Sequence, residues 1–127
     1  MKSRRVGFTL IELMVVVVIL AILAAMTIPR MKNTKGRAHA AALRTDLRNL
    51  ANAEEAFFAA NSRYSAAFDS LNFRGSPGVI VVIPEATKQG WSASATHPES
   101  YPLKCAIYSG SVTPLPPATT ESEVGCQ

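Results

Sequence analysis

Residues 7–29 read GFTLIELMVVVVILAILAAMTIP, and this stretch decides the architecture. From Phe8 to Ile28 the residues are apolar except for Thr9, Thr27 and Glu12. As a helix, a run of this length spans a hydrocarbon core of about 30 Å. Lys2, Arg4 and Arg5 precede it. Cations on that side hold the end in the cytoplasm and place the rest of the chain outside. Glu12 lies early in the span, where a lone carboxylate is costly. The span holds no cation to offset it. Cleavage between Gly7 and Phe8 would create one, the new α-amine of Phe8, about 6 Å from Glu12 along a helix. The carboxylate then pairs with its own amine or with that of a neighbouring copy, which makes a defect in a monomer into a registry device in an assembly.

Working outward, residues 1–7 form a short basic leader and 8–29 a hydrophobic membrane and polymerisation helix. Pro29 removes one backbone bond and kinks a helix without having to end it, and Gly36 is a second soft point. Residues 30–62 are Ala-rich, with good helix formers. Leu43, Leu47, Leu50 and Phe57, with Ala40 and Ala51, fall on one stripe at helical spacing, while Arg44, Asp46, Arg48 and Glu55 lie mostly off it. A helix from Phe8 to Asn61 measures roughly 80 Å at 1.5 Å per residue. A domain this small cannot cover that length, so other copies of the chain are the economical partner.

After Arg63 the pattern changes. Residues 63–77 read as a loop with one short turn. Val79–Ile83 is a β-branched run bounded by Pro77-Gly78 and Pro84, by type a buried strand. Trp91, Ala93 and Ala95 alternate with Ser92, Ser94 and Thr96 at period two, and Leu103–Ser109 is a third strand. Pro114, Pro116 and Pro117 enforce an extended tail as far as Cys126. The predicted fold is α+β: a long N-terminal helix whose second half packs on a three- or four-stranded antiparallel sheet, with 63–127 as the globular region. Cys105 and Cys126 are an even pair in an exported chain and are expected to form one disulfide.

The net charge of +4 is concentrated in the leader. Without residues 1–7 the count is ten Lys and Arg against nine Asp and Glu. A nearly neutral chain gives no reason to expect a specific nucleic-acid partner. No catalytic, cofactor or metal constellation is expected either. Two cysteines do not make a structural zinc site. His39 and His97 have no Cys or carboxylate at ligand spacing and read as surface or cap positions. Glu54 and Glu55 point in different directions on a helix and read as exposed or as assembly contacts. Trp91, Phe57, Phe58, Tyr64 and Phe68 read as core or subunit contacts. The GSPG run at 75–78 lacks the Lys-Ser/Thr of a phosphate loop. Arg30, Lys32, Lys35 and Arg37 form a basic cluster suited to anionic headgroups or to subunit pairing.

The string 7–29 resembles, almost position by position, the N-terminus of type IV pilins and type II secretion pseudopilins. It shares their basic leader, glycine, phenylalanine, glutamate, apolar span and proline. Residues 47–64 and 90–97, then Cys105, are similar to short bacterial pilins of that family, though more loosely. The resemblance implies that a prepilin peptidase cuts after Gly7 and methylates the amine of Phe8. Glu12 then registers subunits in a helical homopolymer built by an inner-membrane platform and its ATPase. Before assembly the chain would cross the inner membrane once with its C-terminus in the periplasm, and afterwards it would lie in an extracellular pilus or a periplasmic pseudopilus. Cys105 and Cys126 would bracket an outward C-terminal loop. The globular part is small for a pilin.

Three other readings compete. A type II secretion pseudopilin fits the same N-terminus, but Glu121 and Glu123 are the only acids of the tail, too few for a calcium-site cluster there. A membrane-tethered periplasmic binding module would never polymerise. A conventional signal peptide cut near Ala21–Ala25 would start the mature chain near Met26, yet Glu12 is out of place in such a segment.

Overall fold

Helix α1 (Leu10–Asn61) is 52 residues long and continues through Pro29 and Gly36, so neither ends it. The structure is a computed structural model that describes residues 7–100 and 103–127, without the side chains of 28–34. The leader up to Val6 and the side chains of Pro29, Arg30 and Lys32 therefore lie outside the described residues. The chain divides into two units, Met1–Thr34 and Lys35–Gln127. In the first, the described part is the start of α1, with its apolar side chains uncovered. The second is a helix-and-sheet head.

Within the head, the predicted stripe on α1 forms the floor of the core. Leu43, Leu47 and Leu50 are fully buried, and Ala51 and Phe57 pack beside them. The helix stops at Asn61, where Ser62 turns to φ 54 and its N–H donates to Phe58 O at 2.7 Å. A left-handed residue just past the last turn commonly closes a helix in this way. The short turn expected in the loop is helix α2 (Phe68–Leu71), which contributes Leu71 to the core.

Four strands follow: β1 (Ile80–Ala86), β2 (Gly90–Thr96), β3 (Lys104–Gly110) and β4 (Gly125–Cys126). They form one antiparallel sheet in the order β1-β2-β3-β4. The inward face of β2 carries Trp91, Ala93 and Ala95 against the leucines of α1, as the period-two pattern predicts. Cys105 and Ile107 of β3 join them.

Three strand expectations need correction. β1 does not stop at Pro84. The register shifts between Val82 and Glu85, so the residue without an N–H falls at an irregularity on an edge strand. Nor is β1 buried on both faces. Ile80 and Val82 stay exposed while Val79, Val81 and Ile83 face the core, which is the alternation of an edge strand covered on one side. The tail is not extended throughout. Ala118 N–H donates to Leu115 O at 3.0 Å, Ala118 is buried, and Ser122 N–H donates to Tyr108 O at 2.8 Å. The chain must fold back to bring Cys126 beside Cys105, and prolines at 114, 116 and 117 still permit turns between them.

Two acids read as off the stripe or exposed are buried. Asp46 is 2% exposed and Glu54 is 0% exposed. Spacing explains their positions: Asp46 lies three residues after Leu43, and Glu54 four after Leu50, both on the apolar face. Each captures a main-chain donor from the loop that crosses α1. Asp46 accepts Ser76 N–H at 2.7 Å and the Ser76 hydroxyl at 2.8 Å. Glu54 Oε2 accepts Ser65 N–H at 3.0 Å, while its Oε1 has no partner. Burial pushes the Glu54 carboxyl above its usual range. The Ser65 N–H pulls the other way, and the neighbouring Glu55 charge adds a smaller upward push.

Candidate functional site

The N-terminus of α1 is built by four residues acting together. Thr9 is the cap and Leu10 the first helical residue. Glu12 N–H faces the Thr9 hydroxyl at 3.3 Å, and Glu12 Oε2 reaches back to accept Thr9 N–H at 2.8 Å. The Thr9 hydroxyl also lies 2.7 Å from Glu12 Oε2 as a donor. Leu13 N–H donates to Thr9 O at 3.3 Å, the first bond of the helical ladder. This is a capping box, in which Thr and Glu three residues apart satisfy each other's orphan main-chain groups.

Glu12 therefore has local partners before any cleavage. The span still holds no cation for it, but the carboxylate is not without partners, because Thr9 supplies two hydrogen-bond donors. The signal was present as Thr9-x-x-Glu12. A negative side chain in the first helical turn is also favoured by the helix dipole. Among the described residues both bonds land on Oε2, which leaves Oε1 free to accept a donor from elsewhere.

Around this cap the surface is apolar. From Phe8, at 79% exposed, to Met26, the large hydrophobic side chains are all exposed, the least being Val16 at 46%. Leu10–Thr27 is long and apolar enough to cross a membrane. An open groove lined by Phe8, Ile11, Glu12, Val15 and Val16 puts the carboxylate beside apolar walls. A helix apolar on every side is stable only in lipid or among other chains.

In the head, Cys105 and Cys126 are bonded, with Cα atoms 4.1 Å apart. They face each other across β3 and β4. Their neighbours Lys104 and Gln127 exchange two main-chain bonds, at 2.9 and 3.0 Å. The cysteines are thus the close, non-hydrogen-bonded pair of an antiparallel ladder.

The structure brings together side chains that the sequence left apart. His39 on α1 stacks on His97, with ring centroids 3.9 Å apart and planes 20° apart. His39 Nε2 lies 3.3 Å from Glu99 Oε2. His97 Nδ1 accepts Glu99 N–H at 3.1 Å. The expectation that neither histidine has a carboxylate at ligand spacing is corrected: Glu99, two residues after His97, was a local signal, and only His39, 58 residues before His97, comes from a distant element. Of the aromatics, Trp91 is fully buried and Phe57 half-buried in the core, while Phe58 stacks on Tyr64 at 4.7 Å.

Comparison with known proteins matches these features. Residues 2–28 fit the family model described as the prokaryotic N-terminal methylation motif. The chain is 40% identical over 72 residues to the type IV major pilin protein PilA of Myxococcus xanthus, covering 57% of this chain and 33% of that one. It is 38% identical over 71 residues to the type II secretion system core protein G of Aeromonas hydrophila, covering 56% and 50%. To the type IV wide pilus major component PilA4 of Thermus thermophilus it is 34% identical over 95 residues, covering 72% of both chains. The matched region thus spans a third to a half of the first two relatives and nearly three quarters of the third. With a capped apolar helix, a small disulfide-closed sheet and these relatives, the chain belongs to the type IV pilin and type II secretion pseudopilin family.

Proposed function

We propose that this chain is the structural subunit of a type IV pilus-like filament, cut after Gly7, methylated on the Phe8 amine and assembled through α1. The observation that carries the reading is the apolar helix start, uncovered on every side and bearing one capped carboxylate, Glu12. Hydrolysis of the Gly7–Phe8 amide leaves a carboxylate on the leader and a protonated amine on Phe8. That amine supplies the cation the span lacks. Glu12 Oε1 accepts it from a neighbouring subunit, and only a copy at the correct axial height places the two charges together. In the low dielectric of a helix bundle such a pair specifies register.

Before assembly the span rests in the inner membrane, with the leader cytoplasmic and the head in the periplasm. Pro29 and Gly36 are the places where α1 bends or unwinds to fit the bundle. A prepilin peptidase, an assembly platform and its ATPase are the partners this route requires. The reading is tested by mass spectrometry of the mature N-terminus together with electron microscopy of wild-type and deletion cells. N-methyl-Phe8 and long surface filaments lost on deletion support it. A mature chain that keeps its leader or starts near Met26 refutes it.

The similarity to core protein G supports a second reading, a pseudopilin of a short periplasmic filament. The longer match to the wide-pilus protein favours the pilin. Unchanged surface filaments with lost protein secretion in the deletion strain would reverse that order.

A further inference from the structure

We infer that His39, His97 and Glu99 form a binding site for a divalent ion of the zinc class. One nitrogen of each imidazole and one Glu99 carboxylate oxygen lie within 4.8 Å of one another. Zinc bonds to nitrogen and oxygen are about 2.0–2.1 Å, which sets the edge of a tetrahedral site at about 3.3 Å. His39 Nε2 and Glu99 Oε2 are already 3.3 Å apart. Two imidazoles and one carboxylate suit zinc, nickel or copper, whereas calcium and magnesium prefer all-oxygen sites.

The surroundings position the group. His97 is nearly buried and is held from one side by Gly78. A Cβ at that glycine would lie 2.5 Å from His97 Nε2, and Gly78 itself is at φ +80. Glycine there permits both the turn and the close approach of the ring. With Nε2 against Gly78, the lone pair of Nδ1 faces Glu99, whose N–H it accepts. An ion at Nδ1 replaces that bond. Glu99 is 71% exposed and His39 partly so, which gives the ion a path from solvent and leaves its fourth position to water.

The two rings stack, so their in-plane lone pairs run side by side instead of converging. Binding turns the partly exposed His39 ring, and the exposed Glu99 carboxylate moves with it, so their 3.3 Å separation is where the two ligands start and not the finished edge of the site. The bound ion ties α1 to the connection between β2 and β3, a crosslink distinct from the Cys105–Cys126 disulfide, which joins β3 to β4. It stabilises the folded head by mass action.

The test uses the untagged full chain in detergent micelles, titrated with Zn2+ and then with Ca2+. The expected result is saturable binding of one Zn2+ per chain, a raised melting temperature, and shifts of the His39 and His97 ring nitrogens by NMR, with none of these from Ca2+. Glu99→Gln and His39→Ala sit at accessible positions and should stay folded by circular dichroism. Each should weaken zinc binding by about tenfold or more. His97→Ala risks the fold and is read only alongside the other two. Absence of saturable zinc binding, or affinity unchanged in both Glu99→Gln and His39→Ala, overturns the assignment.

Discussion

Replacing both Cys105 and Cys126 by Ala should cost the head about 3 kcal/mol. The bond joins residues 21 apart in sequence. Closing a loop of that size removes about 11 cal/mol/K from the unfolded chain, or about 3 kcal/mol at 25 °C in the chain-entropy model. For a head of this size, 1 kcal/mol moves the melting temperature by about 4–8 °C, so the expected fall is roughly 10–25 °C. The loss should begin locally. β4 is only Gly125–Cys126, and Lys104 and Gln127 hold it with two main-chain bonds. Glu121 Oε1 holds the other end of the tail by accepting Gly110 N–H at 2.7 Å. Without the disulfide, hydrogen exchange at Ser122 and Gln127 should speed up before exchange in β2. The assay is thermal unfolding and exchange of the full chain in detergent, with the bond intact and in the double variant. A melting temperature within about 3 °C of wild type, with Gln127 still protected, would show that the tail's own contacts suffice. Constraint of the unfolded chain by the disulfide would then contribute little to the head's stability.

Glu54→Gln should change how stability varies with pH. Burial raises the folded carboxyl above its usual 4.5. The folded state therefore binds the proton more tightly than the unfolded one. Its contribution is present below pH 4.5 and is lost as pH rises through the raised value. The glutamine variant should gain relative to wild type as pH rises, and melting curves from pH 4 to 8 that run parallel would contradict this. Asp46→Ala should destabilise the head by about 2–3 kcal/mol, because two hydrogen bonds to one charged group are lost and Ser76 N–H is stranded. Denaturant unfolding measures the loss, and accelerated exchange at the Ser76 amide locates it.

The parts legible in the sequence are those whose information is local. The apolar span, the leucine stripe and the inward residues of β2 each depend on neighbours within a few turns or residues, and each was read correctly, although Ser92 on the other face of β2 is buried as well. The misreadings share a cause. Asp46 and Glu54 sit on the apolar face by spacing, but residue type argued for solvent. What makes them tolerable is a pair of loop donors, Ser76 and Ser65, 30 and 11 residues away. β1 outlasts Pro84 because the β1–β2 register shifts there, and a shift is invisible in one strand alone. The folded-back tail and the approach of His39 to His97 and Glu99 depend on which distant elements meet, and nothing near those residues in sequence encodes that meeting.

Thr9 could have been recognised from its spacing to Glu12, and recognising it changes the question asked of that acid. Glu12 supplies two separable things: an acceptor for Thr9 N–H and a negative charge. Glutamine at position 12 keeps an acceptor oxygen at the same reach and loses the charge, while alanine loses both. If Glu12 serves chiefly to start the helix, Glu12→Gln should assemble like wild type and only Glu12→Ala should fail. If the charge meets a neighbour's Phe8 amine, both variants should insert into the membrane and both should lose filament yield. The Thr9 amide shift in micelles should then report a native cap in Glu12→Gln and a frayed one in Glu12→Ala. The second pattern is expected, since a cap needs only an acceptor whereas register needs a charge with an address. Wild-type filament yield from Glu12→Gln, measured at equal subunit level in the membrane, would refute the ion-pair role and leave the capping box as the residue's whole function.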